Sequence, residues 1–326
     1  MTTTQTQFAT HILPGVQAPP NCGAAQPVTW KCDFDLYRTL LVEPGTKITL
    51  GNVDPGYCGK NRSYEGAMPA LQSAAEKIDR LQYLMHSEGK HSLLIVLQGL
   101  DAGGKDGVIR HILTCANPVG CRVAAFKQPT PSELSHDFLW RVHPHVPAKG
   151  EIAVFNRSHY EDVLVARVHQ LVPAAIWSRR YDLINDFERL LTIGNDTTIL
   201  KFFLHISKDE QLARFKRRLE DPRRRWKISE ADYQERELWD DYTAAFEEML
   251  CRTSTWTAPW FVVPSNNKWF RDLAISHIIS RTLEELDMKL PEPAVDLAYI
   301  RSRYHAAEES VKACIPQQLS PQKKQL

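Results

Sequence analysis

Five short, nearly continuous apolar runs punctuate the chain: Leu93–Gln98, Arg122–Phe126, Glu151–Phe155, Thr198–Ile206 and Trp260–Pro264. Runs of this length with apolar residues on both faces predict strands of a parallel sheet covered on two sides. Between them the apolar spacing becomes helical. Residues 68–86 predict a helix before the first strand, and Tyr181, Ile184, Phe187, Leu190 and Leu191 predict another over Trp177–Ile193. Ser158-x-x-Glu161 and Ser207-x-x-Glu210 have capping-box spacing and predict helices over Tyr160–Leu171 and Gln211–Leu219. The alternation predicts an α/β fold: a three-layer α/β/α sandwich with a central five-stranded parallel sheet. At ~150 residues per domain the length would suggest two domains. The unbroken alternation instead predicts one, over 31–292, with a helical lid insertion at about 207–240. Residues 1–30 are rich in Thr, Gln, Ala and Pro without a period and predict a mobile N-terminal tail. Residues 293–326 predict a C-terminal extension whose last stretch, IPQQLSPQKKQL, is disordered.

The 326 residues carry 40 Lys and Arg against 39 Asp and Glu, a formal charge of +1. That balance argues against a protein built to coat nucleic acid, while leaving room for a local basic site. No apolar run approaches the ~20 residues of a membrane helix, and residues 1–30 contain no Lys or Arg to open a secretory signal. The expectation is a cytoplasmic protein with neither membrane nor nucleic acid as partner. Cys22, Cys32, Cys58, Cys115, Cys121, Cys251 and Cys314 are odd in number and form no CxxC pair. They predict buried reduced thiols rather than a disulfide framework or a zinc site.

The segment Leu93–Leu113 reads LLIVLQGLDAGGKDGVIRHIL. Gly99, four residues, then Gly104-Lys105 has the spacing of a Walker A phosphate loop, between a strand and a helix whose inner face is Val108, Ile109, Ile112 and Leu113. Glycines let the backbone N–H groups converge on phosphate oxygens, the helix N-terminus faces the same anion, and Lys105 adds a mobile charge. Gly99, Ala102, Gly103, Gly104, Lys105, Asp106 and Gly107 are thus candidate phosphate-binding residues. The Ser or Thr that normally follows the Lys is here Asp106, and Asp101 sits inside the loop. A carboxylate among polyanions is costly unless a cation bridges it, so Asp101, and after it Asp106, is a candidate Mg²⁺ ligand. The plainer reading is a strand–helix turn with Asp101 as a cap.

At the end of the Glu151–Phe155 strand, Asn156 occupies the place of a Walker B aspartate and Arg157 stands ready to clamp phosphate. Ser158 and Glu161 read first as helix caps. Arg214, Lys216, Arg217, Arg218, Arg223, Arg224, Arg225 and Lys227 form a basic run opposed only by Glu220 and Asp221. Such a run is commonly a solvated face. Its place after a phosphate-loop core suggests a lid whose arginine forks grip phosphate.

GLDAGGKDG at 99–107, FNRSHYEDVL at 155–164, RRLEDPRRRWKISEADYQERELWDDY at 217–242 and PWFVVPSNNKWFRDLA at 259–274 together resemble the polyphosphate kinase 2 family, class III in particular, over about residues 36–290. The resemblance implies a P-loop kinase fold like thymidylate kinase and Mg²⁺-dependent, reversible phosphoryl transfer between inorganic polyphosphate and nucleotides. AMP would go to ADP and ADP to ATP, with guanine nucleotides weaker, in a homo-oligomer, dimer or tetramer. It implies Asp101, Lys105 and Arg157 as catalytic, Arg217, Arg218, Trp226 and Lys227 as lid residues, and Asn156, Arg157 and Glu161 as the second, nucleotide-side motif; Arg217, Arg218, Arg224 and Lys227 are the expected polyphosphate contacts. Class I members carry Asp where this chain has Asn156, which shifts the metal towards Asp101. The motifs alone leave two alternatives open: an ATP-dependent P-loop kinase of a small metabolite, and a non-catalytic phosphate-binding regulator.

Overall fold

The computed structural model describes residues 35–59 and 63–314. The expected tail at 1–30 and the expected disordered end at 315–326 lie outside the described residues. Contacts divide the chain into two units, 1–288 and 289–326.

In the first unit the strands are β1 (Leu41–Val42), β2 (Ser92–Gln98), β3 (Cys121–Ala125), β4 (Ile152–Asn156), β5 (Thr197–His205) and β6 (Trp260–Pro264). They form one sheet in the order β1-β6-β5-β2-β4-β3. The five predicted strands are all parallel, with Ile95 of β2 opposite Val154 of β4 and Leu200 of β5. The count of five is corrected to six by β1, which runs antiparallel at the edge with Leu41 opposite Phe261. Two residues ahead of Pro44-Gly45 are too few to show an alternation, so no period announces that strand.

Strand side chains alternate between two cores. Leu93, Ile95 and Leu97 of β2 face one cluster with Phe202 of β5 and Val263 of β6, and Leu94 and Val96 face the other with Phe203 and Val262. The first cluster is closed by α1 (Leu36–Leu40), α2 (Tyr64–Glu88), α3 (Lys105–Cys115) and α10 (Lys268–Glu285). The second is closed chiefly by α6 (Ala174–Asn195) and α9 (Trp239–Thr253), with α4 (Pro131–Leu134) and α5 (Val165–Val168) as single turns in the connections. This is the three-layer sandwich. The segment expected as a lid, about 207–240, holds α7 (Lys208–Glu220), a 3₁₀ turn at Arg225–Lys227 and α8 (Glu230–Glu237).

The helix expected over Tyr160–Leu171 does not form. A 3₁₀ turn at His159–Asp162 and the short α5 replace it. The Ser158 hydroxyl accepts from the Tyr160 N–H rather than from position 161, and the Glu161 carboxylate accepts from Arg157 at 3.1 Å, so the capping box never closes. Ser207 does cap α7, accepting from the Glu210 N–H at 3.1 Å.

The second unit contains α11 (Leu297–Cys314). Among the described residues no helix is long and apolar enough to cross a membrane. Cys58, Cys115, Cys121 and Cys251 are free thiols.

Candidate active site

The chain leaves β2 towards β3 on one side and leaves the neighbouring β5 towards β6 on the other, and the carboxyl ends of β2, β4, β5 and β6 open onto one crevice. The β2 end supplies the loop 99–107. A side chain at Gly99 would come within 2.8 Å of the Leu204 backbone carbonyl, and Gly104 sits at φ +110°, a conformation that side chains rarely adopt, so the close approach at one and the backbone angle at the other require glycine. Lys105 opens α3 and is buried, its ammonium donating to the carbonyls of Gly99 at 2.6 Å and Leu100 at 3.3 Å. Burial, then the nearby Arg157 charge, push that ammonium down to about 8 against the pull of Asp101, Glu161 and Asp106.

At the β4 end Arg157 adopts the left-handed conformation, φ +62°, which is uncommon for a side chain of this size. The turn sends its guanidinium back to Asp101 at 2.8 Å and to Glu161 at 3.1 Å. Burial would raise the Asp101 carboxyl, but Lys105 and Arg157 more than offset it and hold the group below the ordinary carboxylate range. Asn156 donates to Asp106 at 3.1 Å, and Lys227 from the lid region donates to the same carboxylate at 2.8 Å. The Lys227 hydrogen bond is the main cause that keeps Asp106 ionised.

These groups border two cavities. The larger, about 750 Å³, is lined by Asp101 and the loop, with Arg217, Arg218, Arg224 and Lys227 opposite. Ten cationic side chains line it against four carboxylates. The smaller, about 240 Å³, lies on the far side of Asp101 and is walled by Gly99, Leu100, Arg157, Glu161, Tyr242 and Phe246. Leu100 and Phe246 also line a third hollow of about 250 Å³ with Leu50, Phe203 and Trp239.

Thus Ala102, Gly103, Gly104, Lys105, Asp106, Gly107 and the four lid cations gather on the basic cavity. Gly99, Arg157 and Glu161 border the smaller one, and Asp101 borders both.

Five cations of the basic cavity are not among the expected phosphate contacts: Arg110, Arg214, Arg223, Lys268 and Arg271. Arg214 is 6% exposed and donates to the carbonyls of Ala102, Gly103, Ser265 and Asn266 and to Glu210, strapping the loop to the end of β6. Arg271 is buried beside Gly104 and donates to Asp272 at 2.7 Å. Lys268 begins α10, directly after β6. Searching the carboxyl end of every strand would have found the last two.

The family model described as polyphosphate kinase 2 matches residues 60–291. A protein of Meiothermus ruber named AMP/ADP-polyphosphate phosphotransferase is 49% identical over 260 residues, covering 78% of this chain and 96% of its own. The ADP-polyphosphate phosphotransferase of Rhodopseudomonas palustris is 43% identical over 271 residues, covering 78% and 92%. The crystal structure of polyphosphate kinase 2 from Arthrobacter aurescens superposes with a TM-score of 0.80 at 40% identity, covering 84% of this chain and 97% of that one. With the phosphate loop, the strand-end arginine and the basic cavity in place, the chain belongs to the polyphosphate kinase 2 family.

Proposed function

We propose that the protein transfers the terminal phosphoryl group of inorganic polyphosphate to AMP and to ADP, reversibly, at the boundary marked by Asp101. The observation that carries this reading is the division of the crevice. One side is a cavity wide enough for a polyanion and lined by ten cations. The other is a smaller cavity that shares Leu100 and Phe246 with a neighbouring aromatic hollow, in keeping with a nucleotide and its flat base. Relatives named for AMP and ADP as acceptors support the same pairing of substrates.

Phosphoryl transfer asks little covalent chemistry of a protein; it asks for in-line placement and charge neutralisation. In the proposed arrangement polyphosphate lies along the loop N–H groups, Lys105 and the lid arginines. Arg157 holds the acceptor phosphate from the nucleotide side. The transferred group crosses between them over Asp101. A nucleotide phosphate is already anionic, so no general base is needed to deprotonate it.

Among the described residues no three His, Cys, Asp or Glu side chains form a metal cage. A Mg²⁺ ion that bridges phosphates keeps several waters and takes only one or two carboxylates, which fits Asp101, ionised and open to both cavities. When bound there, Mg²⁺ would neutralise charge on the phosphate chains. Asp106 is engaged through both oxygens, by Asn156 and Lys227, where Asp101 accepts from Arg157 through Oδ1, so Asp106 stands second to Asp101 as a ligand. We assign the reaction to the cytoplasm, where its nucleotide acceptors are.

The third hollow has aromatic Phe203, Trp239 and Phe246, and none of its polar side chains, His205, Ser207, Lys208 and Thr243, is buried, so a base held there can slide by about one phosphate spacing without leaving buried donors unpaired. Both AMP and ADP can then bring their terminal phosphate to Arg157. The test is incubation with polyphosphate as the only donor, Mg²⁺ and AMP, with adenylate kinase excluded. ADP should rise first and ATP should follow, with guanine nucleotides slower. No turnover without added ATP would refute the polyphosphate reading; ADP without ATP would restrict the enzyme to monophosphates.

A further inference from the structure

Helix α7 reaches the phosphate loop through an amide as well as through its arginines. Gln211 is 2% exposed and stands three residues before Arg214, on the same face of α7. Its side chain donates to the Asp101 carbonyl at 3.0 Å and accepts from Arg236 of α8 at 2.9 Å. A carbonyl only accepts and a guanidinium only donates, so the amide nitrogen must face Asp101 and the amide oxygen Arg236. Arg236 is itself tied to the Lys208 carbonyl, at the start of α7, at 2.7 Å. With Arg214 on the Ala102 and Gly103 carbonyls, one face of α7 takes up three successive peptide oxygens of the loop.

The backbone at this point is unusual. Ala102 lies at φ +61°, in the left-handed region that residues with a side chain seldom adopt. Such a conformation persists where its surroundings over-determine it. The peptide between Asp101 and Ala102 is planar, so drawing its oxygen to Gln211 turns the Ala102 N–H the opposite way. The Asp101 Cα belongs to the same plane. A tilt of this peptide would therefore be passed to the carboxylate that meets Arg157 at 2.8 Å.

We propose that Gln211 is a positioning residue of the transfer reaction. It holds the Asp101 peptide, and through it the Asp101 carboxylate, in the geometry that transfer uses, and Arg236 is its anchor in α8. The role rests on the assignment of the transfer to Asp101. Gln211 lines the smaller cavity beside Asp101 and Arg157, yet both ends of its amide are engaged by the protein, so it acts through Asp101 and not on the nucleotide. Misplacing a reacting group by about 1 Å can cost about 10²-fold in rate with no contact to substrate removed.

The test combines steady-state kinetics, calorimetric titration of ADP and of polyphosphate, and circular dichroism to confirm the fold of each variant. Gln211→Met keeps the length of the side chain and loses both hydrogen bonds. It should lower kcat by about tenfold or more, with KM and Kd for ADP and polyphosphate held within about twofold. Gln211→Glu keeps the acceptor for Arg236 but sets a carboxylate against the Asp101 carbonyl, and should lose at least as much. Arg236→Met removes the anchor and should lose about threefold. The role through Asp101 is read from a double-mutant cycle. In Asp101→Asn, already slower by about 10²-fold, Gln211→Met should cost less than about twofold more, because the carboxylate it positions is gone. A general structural role would add its full loss. Should Gln211→Met not fold, Gln211→Glu carries the same cycle. Wild-type kcat in Gln211→Met and Gln211→Glu overturns the proposal, and so does a full additional loss in the Asp101→Asn background. A raised KM for ADP with kcat kept also overturns it, since Gln211 would then be a nucleotide contact. Full activity in Asp101→Asn alone is a separate failure, that of the Asp101 assignment, and is seen before any change at Gln211 is made.

Discussion

Two lysines are buried beside the central sheet, and their surroundings differ. Lys201, in β5, is fully buried. It donates to Glu188 at 2.5 Å, to the Tyr160 hydroxyl at 2.8 Å and to the Thr253 carbonyl at 2.7 Å. The Tyr160 hydroxyl in turn donates to Glu188 at 2.7 Å, and His159 lies 3.2 Å from the same carboxylate. Burial opposes the charge on Glu188, and Lys201 and His159 overcome it, so the carboxyl stays below its ordinary range. Lys105, 8% exposed, donates to carbonyls of its own loop, and its charge is only partly balanced. The first lysine has its anion inside the protein. The second, in the proposed arrangement, takes one from the substrate. A buried cation therefore marks a binding site only when its counter-charge is left to the ligand.

The largest effect should come from breaking the closed pair. Glu188→Gln leaves an ammonium buried without its carboxylate and should destabilise the fold by about 3–5 kcal/mol, read by denaturant unfolding. Glu188→Leu combined with Lys201→Met removes both charges and should recover most of that loss. A loss under ~1 kcal/mol in Glu188→Gln would mean that water or a neighbour already compensates Lys201.

Lys105→Ala should do the opposite: stability within ~1 kcal/mol of wild type, and turnover down by about 10²-fold, the usual scale for removing one charge-assisted hydrogen bond from the transition state. Asp101→Asn should be at least as damaging, with excess Mg²⁺ restoring little. Full activity in either variant, with a normal circular dichroism spectrum, would remove that residue from the site.

The smallest effect is in pH. With its ammonium pushed down to about 8, Lys105 is charged below that pH and increasingly neutral above it. A bound polyanion favours the charged form, so binding above pH 8 must take up a proton. Each pH unit there weakens polyphosphate binding by up to about 1.4 kcal/mol, or tenfold. The apparent KM for polyphosphate should rise above pH 8 in the wild type, and this component of the rise should be absent in Lys105→Ala. Identical profiles would show that Lys105 does not titrate in this range.

The loop around Lys105 is legible in the sequence because its chemistry is local. A strand, four residues between Gly99 and Gly104-Lys105, and a helix fall within one window, and the β2, β4, β5 and β6 runs announce themselves in the same way. The Lys201–Glu188 pair is not, because one residue is on a strand and the other on a helix packed over it, and no period links them. The turn after β4 misleads for a related reason. Ser158 and Glu161 have the spacing of a cap, but Arg157 competes for the Glu161 carboxylate, and that competition depends on a backbone angle. Arg214 is visible as one charge in a basic run, yet its partners lie in two other segments of the chain, beyond the reach of a local pattern.

The strap made by Arg214 has a consequence for when entropy is lost. The loop contains Gly99, Gly103, Gly104 and Gly107, the residue type with the most freedom to lose, at about 1–2 kcal/mol for each backbone position fixed. A loose glycine loop would have to settle this cost whenever a phosphate arrived, and affinity would fall accordingly. Arg214 holds the Ala102 and Gly103 carbonyls against the end of β6 as part of the folded chain. The mould is set during folding, once per molecule, and in the proposed arrangement each polyphosphate that enters afterwards meets a shape already frozen.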